Sequence, residues 1–196
     1  MQLSLDGLVL AGGESRRMGQ PKALLPLTGG ETLLQRALST LRQASSGTIW
    51  ISRPHGYPAQ YPEDLPDALP RRGPLSGLAA GLSHSATPLL LVLAVDLPNV
   101  PSDLFHTLYQ HWIAHPEADI VYPAIPGGDR QPLAALWHQR ALPVLQKALA
   151  LSSSPRIMAI IDQMRSEEVP VGEPAWLMNL NTPDDLRRWR QSEDRG

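Results

Sequence analysis

A glycine-rich, cationic segment follows the first apolar run of the chain. After the run at 8–10, the sequence continues with Gly12, Gly13, Arg16, Arg17, Gly19 and Lys22. Glycine lets the backbone approach a ligand closely, and consecutive N–H groups then point at phosphate oxygens. Arginine and lysine add positive charge and further donors. The segment therefore predicts a phosphate-binding loop at the end of a buried strand.

The spacing within this loop differs from the two common phosphate-binding motifs. The loop lacks the Gly-Lys-Ser/Thr ending of a Walker A loop and the Gly-x-Gly-x-x-Gly spacing of dinucleotide-binding folds. A basic turn without a ligand is the plain alternative, but so many glycines and cations together favour a binding site. Since the net charge of the chain is −2, the sequence argues against nucleic-acid binding and favours a small anion.

A carboxylate ends the most apolar segment of the chain. Residues 89–95 are apolar without interruption, as in a central parallel strand buried on both faces, and Asp96 follows them. A carboxylate in that position can bind a hard cation such as Mg²⁺ through oxygen, although a capping or solvent-facing aspartate is the alternative. Because ligands of open α/β sheets lie at the carboxyl ends of strands, we expect the Gly12 loop and Asp96 to share one cleft.

Alternating strand and helix patterns predict how these residues are positioned. Strands are expected at 5–10, 48–52, 89–95, 120–123, 133–137, 168–171 and 176–178. Helices are expected at 31–43, 75–84 and 141–151 and from Ser102, Ser154 and Thr182 onward. The alternation predicts an α/β fold with a doubly wound, mostly parallel sheet. The strands at 120–123 and 133–137 are expected to form a hairpin. Residues 53–74 are expected to form a loop beside the site.

Length and composition favour one folded domain. The 196 residues suit a single domain of about 100–200 residues, which we place at 1–196. There is no cysteine, so thiol chemistry is excluded. With neither a signal-peptide pattern nor an apolar run near the roughly 20 residues of a membrane span, we expect a cytoplasmic protein without membrane contact. His111 and His115 lack an HExxH context and are interpreted as a solvated helix face.

The loop resembles the signature of a known family. The stretches at 10–13, 15–19 and 22–25 are similar to those of the cofactor nucleotidyltransferases, and most similar to the molybdenum cofactor guanylyltransferases; the resemblance extends to about Trp189. It implies a Rossmann-like nucleotidyltransferase fold. It also implies transfer of GMP from GTP to molybdopterin bearing molybdenum, with release of pyrophosphate and Mg²⁺ as cofactor. By analogy, molybdenum-insertion and molybdoenzyme maturation proteins are expected partners of a monomer or weak oligomer.

The resemblance further implies roles for individual residues. The catalytic residues would be Arg17, Lys22 and Asp96, with Asp96 as the metal ligand. Nucleotide-binding residues would be Leu10, Ala11, Gly12, Gly13, Lys22, Ser52, Asp67, Gly73, Pro74, Leu75, Gly77 and Asp96. Acceptor-binding residues would be Pro132, Arg156, Asn179 and Asn181. Ser52 stands where the family often has Asn, and Asp64 competes with Asp67. Residues 1–100 would form the nucleotide-binding half and 101–190 the acceptor-binding half.

Three other functions remain open on the sequence alone. A cytidylyltransferase acting on molybdopterin or on an alcohol phosphate is the nearest alternative. A sugar-phosphate nucleotidyltransferase would usually have a longer chain. A nucleotide-binding module without catalysis is disfavoured because Lys22 and Asp96 are both present.

Asn179 and Asn181, two residues apart on an expected strand, would point to the same face.

Overall fold

The computed structural model describes residues 2–12, 21–54, 61–69, 72–152 and 155–193. Its strands are β1 (Asp6–Leu10), β2 (Ile49–Arg53), β3 (Asp64–Pro66), β4 (Leu89–Ala94), β5 (Ile120–Ala124), β6 (Ala134–His138) and β7 (Ser166–Pro170). Its α-helices are α1 (Leu33–Ala44), α2 (Pro74–His84), α3 (Ser102–Ala114), α4 (Leu142–Leu151), α5 (Ile157–Ile161) and α6 (Pro183–Glu193). No helix in these ranges is long and apolar enough to cross a bilayer.

One seven-stranded sheet organises the molecule, in the order β3-β2-β1-β4-β6-β5-β7. Strands β3, β2, β1 and β4 are parallel, β6 is antiparallel to both of its neighbours, and β7 is parallel to β5. All six residues of β4 are buried, as its unbroken apolar sequence predicts. The predicted α/β class, the mostly parallel sheet and the β5–β6 hairpin are therefore confirmed.

Helices α1 and α2 pack on opposite faces of the sheet. On β1, a side chain at Gly7 would point toward Leu41 of α1, whereas Leu8 points toward Gly81 of α2. A Cβ atom at Gly81 would lie 2.6 Å from Leu8 Cδ2, so glycine is needed for α2 to approach this closely. The small residues of α2 thus bring its first turn against the edge where β1 and β2 end.

Two predicted elements are wrong in the structure. Part of the predicted loop 53–74 forms β3, an edge strand of three residues that pairs with β2. A strand of three residues that ends in proline is too short to show the alternation of apolar and polar residues by which strands are predicted. The predicted strand at 176–178 is instead a 3₁₀ turn, Pro174–Leu177, in which the Glu173 side chain accepts the N–H of Ala175.

The helix predicted from Ser154 and the strand that follows it start at other residues in the structure than predicted. The helix expected from Ser154 begins at Ile157, with Arg156 as its N-cap, and Ser154 itself lies outside the described residues. The following strand starts two residues earlier than predicted, at Ser166. Because 178–181 has no strand, the argument that Asn179 and Asn181 face the same way is wrong.

Candidate active site

Three charged or polar side chains from distant parts of the sequence meet at the carboxyl end of β4. Lys22 Nζ lies 3.1 Å from Asp96 Oδ2 and donates a hydrogen bond of 2.8 Å to Asn181 Oδ1. The Lys22 and Asp96 side chains are 17% and 22% exposed, so both remain accessible to a ligand. We call Lys22, Asp96 and Asn181 the charged cluster. The structure thus brings together two predicted catalytic residues and one predicted acceptor-binding residue.

Backbone hydrogen bonds hold the charged cluster at the sheet edge. The Val95 N–H donates to the Leu10 carbonyl, which ties the end of β4 to the end of β1. The Leu180 N–H donates to the Asp96 carbonyl at 2.9 Å, so the coil that carries Asn181 is bonded to the residue it approaches. Lys22 begins a 3₁₀ turn that follows the glycine-rich loop. Gly13 and Arg17 of that loop lie outside the described residues.

The start of α6 fixes the backbone beside Asn181. The Asp185 carboxylate accepts the N–H groups of Asn181 and Thr182 at 3.0 and 2.8 Å, and Thr182 Oγ1 accepts the Asp185 N–H in return. The hydrogen bond with Thr182, followed by those from Arg188 and the two backbone N–H groups, lowers the pKa of Asp185 to about 2. The predicted cap at Thr182 is confirmed. Asp185, an acidic residue of the first helical turn, is a positioning residue that was not among the predicted site residues.

The rest of this coil is bonded to neighbouring segments by two side-chain amides. Gln131 is 8% exposed, and its Nε2 donates to the Leu177 carbonyl. Asn99, after β4, donates from Nδ2 to the Ala175 carbonyl and accepts a 2.6 Å hydrogen bond from Trp189 Nε1 of α6. The C-terminal helix is therefore linked through Asn99 to the strand end that carries Asp96.

A second polar group lies where β2 ends. Ser52 is 1% exposed, and its Oγ donates a 2.5 Å hydrogen bond to Asp67 Oδ1. A Cβ atom on Gly12 would lie 3.4 Å from Asp67 Oδ2, and one on Gly77 would collide with the Ser52 side chain. We call Gly12, Ser52, Asp67 and Gly77 the serine–aspartate pocket. All four are predicted nucleotide-binding residues, and the structure brings them together.

Ser76 holds the loop that positions Asp67, and sequence reasoning missed it. Its buried hydroxyl donates to the Leu69 carbonyl at 2.8 Å and accepts the Leu69 N–H at 2.6 Å. Its carbonyl accepts the Ala68 N–H. The available signal was a lone polar side chain within the small, apolar start of α2.

The two aspartates of the β3 region have different surroundings. Asp64 Oδ1 lies 2.6 Å from Arg53 Nε, and its other oxygen accepts the Tyr61 N–H. Its side chain is 3% exposed, whereas Asp67 lies beside Gly12 and Gly77. Asp64 therefore serves the pairing of an edge strand, and Asp67 is the carboxylate of the serine–aspartate pocket.

The remaining predicted nucleotide-binding residues surround the same edge. The Leu10 carbonyl is used by Val95, and the Ala11 N–H donates to the Ser52 carbonyl. Gly73 precedes α2 with a φ of 65°, a conformation that favours glycine. Pro74 is the first residue of α2, and Leu75 is 2% exposed in the core, so its side chain serves packing.

The predicted acceptor residues are dispersed over the second half of the sheet. Pro132 is buried before β6, and its carbonyl accepts a 2.9 Å hydrogen bond from Trp137 Nε1. Arg156 is exposed at the N-cap of α5. Asn179 is half-buried in the coil next to Leu180. Asn181 belongs to the charged cluster, while the roles of the other three stay predictions.

An α/β sheet whose carboxyl edge joins a lysine, a carboxylate and a glycine-bounded pocket suits nucleotidyl transfer, and the match to an NTP transferase family model assigns the chain to the nucleotidyltransferases. The chain belongs to the MobA-like NTP transferase domain family, whose family model matches residues 7–169. This family agrees with the resemblance of the glycine-rich loop.

Individual relatives extend over nearly the whole chain. It is 32% identical to a probable molybdenum cofactor guanylyltransferase of Chloroflexus aggregans, over 95% of this chain and 94% of the relative. It is 33% identical to the molybdenum cofactor guanylyltransferase of Serratia proteamaculans, over 98% of both chains.

Solved structures share the fold. Molybdopterin-guanine dinucleotide biosynthesis protein A of Archaeoglobus fulgidus matches with a TM-score of 0.80 and 23% identity, over 97% of this chain and 100% of that one. The 2-C-methyl-D-erythritol 4-phosphate cytidylyltransferase of Thermus thermophilus matches with a TM-score of 0.69 and 20% identity, over 98% and 100%. The same fold is thus found in a protein named for a different nucleotide.

Proposed function

We propose that this chain transfers the GMP unit of GTP to molybdopterin that carries molybdenum, with release of pyrophosphate. The observation that carries the proposal is the charged cluster, which presents an ammonium, a carboxylate and an amide oxygen at the carboxyl edge of the sheet. The names of the Chloroflexus aggregans and Serratia proteamaculans relatives support guanine as the base and the molybdenum cofactor as the product.

In this proposal residues 1–100 hold the nucleotide and residues 101–190 hold the acceptor. The triphosphate contacts the backbone of Gly12 and Gly13 and the cations Arg17 and Lys22. The base and ribose contact the serine–aspartate pocket and the start of α2, where Asp67 accepts hydrogen bonds from the nucleotide. The acceptor contacts Pro132, Arg156, Asn179 and Asn181.

The reaction is a substitution at the α-phosphorus of GTP. An oxygen of the acceptor phosphate forms a bond to that phosphorus. The bond to the bridging oxygen breaks, and pyrophosphate leaves with its electron pair. Because the attacking oxygen is already an anion, no strong base is needed, and catalysis consists of positioning and charge neutralisation. Lys22 exchanges Asp96 for a phosphate oxygen when GTP binds.

Asp96 is the residue that fits a magnesium ion. Mg²⁺ in nucleotide sites uses one or two carboxylates together with substrate phosphates. The Asp96 side chain is 22% exposed at the cluster, and the amide oxygen of Asn181 is a second hard donor nearby. When bound, Mg²⁺ supplies positive charge against the phosphate oxygens. Asp96 would hold the ion two residues beyond the end of the fully buried strand β4.

Thermal unfolding with each nucleotide tests the base preference. The chain is heated with Mg²⁺ and saturating GTP, CTP, ATP or UTP. A ligand at about 100 times its Kd adds about 2.7 kcal/mol to the free energy of unfolding. We expect GTP to raise the Tm and CTP, ATP and UTP to leave it unchanged. We also expect pyrophosphate to be released when molybdopterin that carries molybdenum is added with GTP. A rise with CTP alone would assign cytidylyl transfer, and GTP binding that never yields pyrophosphate would indicate a module without catalysis.

A further inference from the structure

Two histidines and a glutamate meet at the amino end of the strand of residues 166–170, the opposite end of the sheet from the charged cluster. His111 and His115 lie one turn apart at the end of α3, and Glu167 lies on the edge strand β7. Each offers one ligand atom, and these three atoms lie within 4.8 Å of one another. The sequence pattern indicates a solvated helix face for the histidines, and their side chains are indeed 28% and 43% exposed. What the sequence does not indicate is that Glu167, 36% exposed, reaches them from β7.

The distances within this group match a small coordination sphere. His111 Nε2 lies 3.3 Å from Glu167 Oε2. Two ligands of a tetrahedral zinc ion, each about 2.0–2.2 Å from the metal, are separated by about 3.3–3.6 Å. The two imidazole rings lie side by side, with centroids 4.7 Å apart and planes inclined by 26°. The three ligand atoms therefore lie close enough to one another to share a single metal ion.

The donor set selects the class of metal. Two imidazole nitrogens and one carboxylate oxygen suit Zn²⁺ and its neighbours among the transition metals, whereas Mg²⁺ and Ca²⁺ prefer oxygen ligands alone. Histidines at i and i+4 present their nitrogens on one helix face, so two ligands come from one rigid element. Glu167 on another element supplies a third ligand, which leaves the fourth position of a tetrahedral site for water.

We propose that His111, His115 and Glu167 form a zinc site that ties the end of α3 to the edge strand β7. The site holds one ion per chain through two imidazole nitrogens and one carboxylate oxygen. It lies at the amino end of β7, whereas Lys22 and Asp96 lie at the carboxyl ends of the parallel strands. Its role is therefore structural and independent of nucleotide transfer.

Zinc titration of the metal-stripped, tag-free full chain tests the site. Zn²⁺ is added against a chromogenic chelator, with excess Mg²⁺ present to occupy Asp96. Wild-type protein should bind one equivalent. His115→Gln and Glu167→Gln should bind zinc more weakly by at least about 10–100-fold, the loss known for residues that merely orient a metal ligand. Substituting Co²⁺ should give the intense visible absorption of a tetrahedral site, which a His111–Glu167 ion pair alone would not produce.

Two controls keep the result specific. His84→Gln changes an exposed histidine in the last turn of another helix, α2, and should leave zinc affinity unchanged. The His115→Gln and Glu167→Gln variants should keep the wild-type circular dichroism and pyrophosphate release. The proposal is overturned if the wild type binds no stoichiometric zinc, if the His115 and Glu167 variants bind like the wild type, or if Asp96→Asn alone removes the bound zinc.

Discussion

The charged cluster and the serine–aspartate pocket lie on the same edge of the sheet but are built differently. Lys22 and Asp96 are held by their charges and remain 17% and 22% exposed. Ser52 is 1% exposed and is enclosed by the close approach of α2 at Gly77. The first group has room to exchange one ionic partner for another, and the second is fixed by packing. Substitutions in the charged cluster should therefore lower activity with little change in stability. Substitutions in the serine–aspartate pocket should lower both stability and nucleotide binding.

Removal of the Asp96 carboxylate should have the largest effect. Asp96→Ala takes away the proposed magnesium ligand and the partner of Lys22, so we expect kcat to fall by at least about 10²–10³, as for loss of a group that stabilises developing charge. The Tm should change little because the side chain is at a solvent-accessible edge. Pyrophosphate release and thermal unfolding measure the two quantities.

Asp103→Ala is the matched control for this variant, since Asp103 is an exposed aspartate on α3, seven residues further along the chain. It should keep wild-type turnover. Normal Mg²⁺-dependent activity in Asp96→Ala would contradict the proposed chemistry.

Removal of the Lys22 ammonium should come next. Lys22→Ala leaves Asp96 in place but removes the charge proposed to bind the triphosphate, and we expect kcat/KM for GTP to fall about 10²-fold. Lys22→Arg should recover part of this loss by restoring the charge. Lys147→Ala, which removes an exposed lysine from α4, serves as control in the same steady-state assay. Wild-type rates in Lys22→Ala would exclude a triphosphate role.

A methyl group at Gly77 should damage the second region in both respects. Gly77→Ala forces α2 away from Ser52 and Asp67, and overpacking of this kind costs about 1–3 kcal/mol. Urea unfolding should show that loss of stability, and GTP should bind more weakly. Gly172→Ala is the control, because a Cβ there meets nothing within 4 Å. If Gly77→Ala loses neither stability nor GTP affinity, the pocket is not fixed by packing.

Protonation of Asp185 should give the smallest effect. Its pKa is about 2 in the folded chain and about 3.9 when unfolded, so its contribution to stability is complete above about pH 4 and is lost as the pH falls toward 2. Asp185→Asn should flatten the dependence of unfolding free energy on pH in that window. Denaturant titrations between pH 2 and 5 compare the variant with the wild type. An unchanged slope would mean that other carboxylates dominate.

The sequence predicts the charged side of the site better than the packed side. Lys22 and Asp96 are recognisable because a cation after a glycine-rich loop and a carboxylate after an apolar strand differ from their surroundings. Their contact with Asn181 needs the fold, since only the sheet topology brings residues so far apart in the chain together. The carboxyl-edge rule for α/β sheets supplied that step.

Other features have no sequence signal of comparable strength. Strand β3 is too short to show alternation, and Asp64 and Asp67 are indistinguishable until their partners Arg53 and Ser52 are seen. Glu167 is separated from His111 by the whole hairpin β5–β6 and α4, so no local spacing indicates their contact. Such groups depend on tertiary packing, which single-sequence patterns do not record.

The hydrogen bonds that join Trp189 to Asn99, and Leu180 to Asp96, have a consequence for local unfolding. An opening that releases α6 from Asn99 also loosens the coil that carries Asn181, which then no longer accepts the hydrogen bond from Lys22. The charged cluster is therefore complete only while α6 is docked on the sheet.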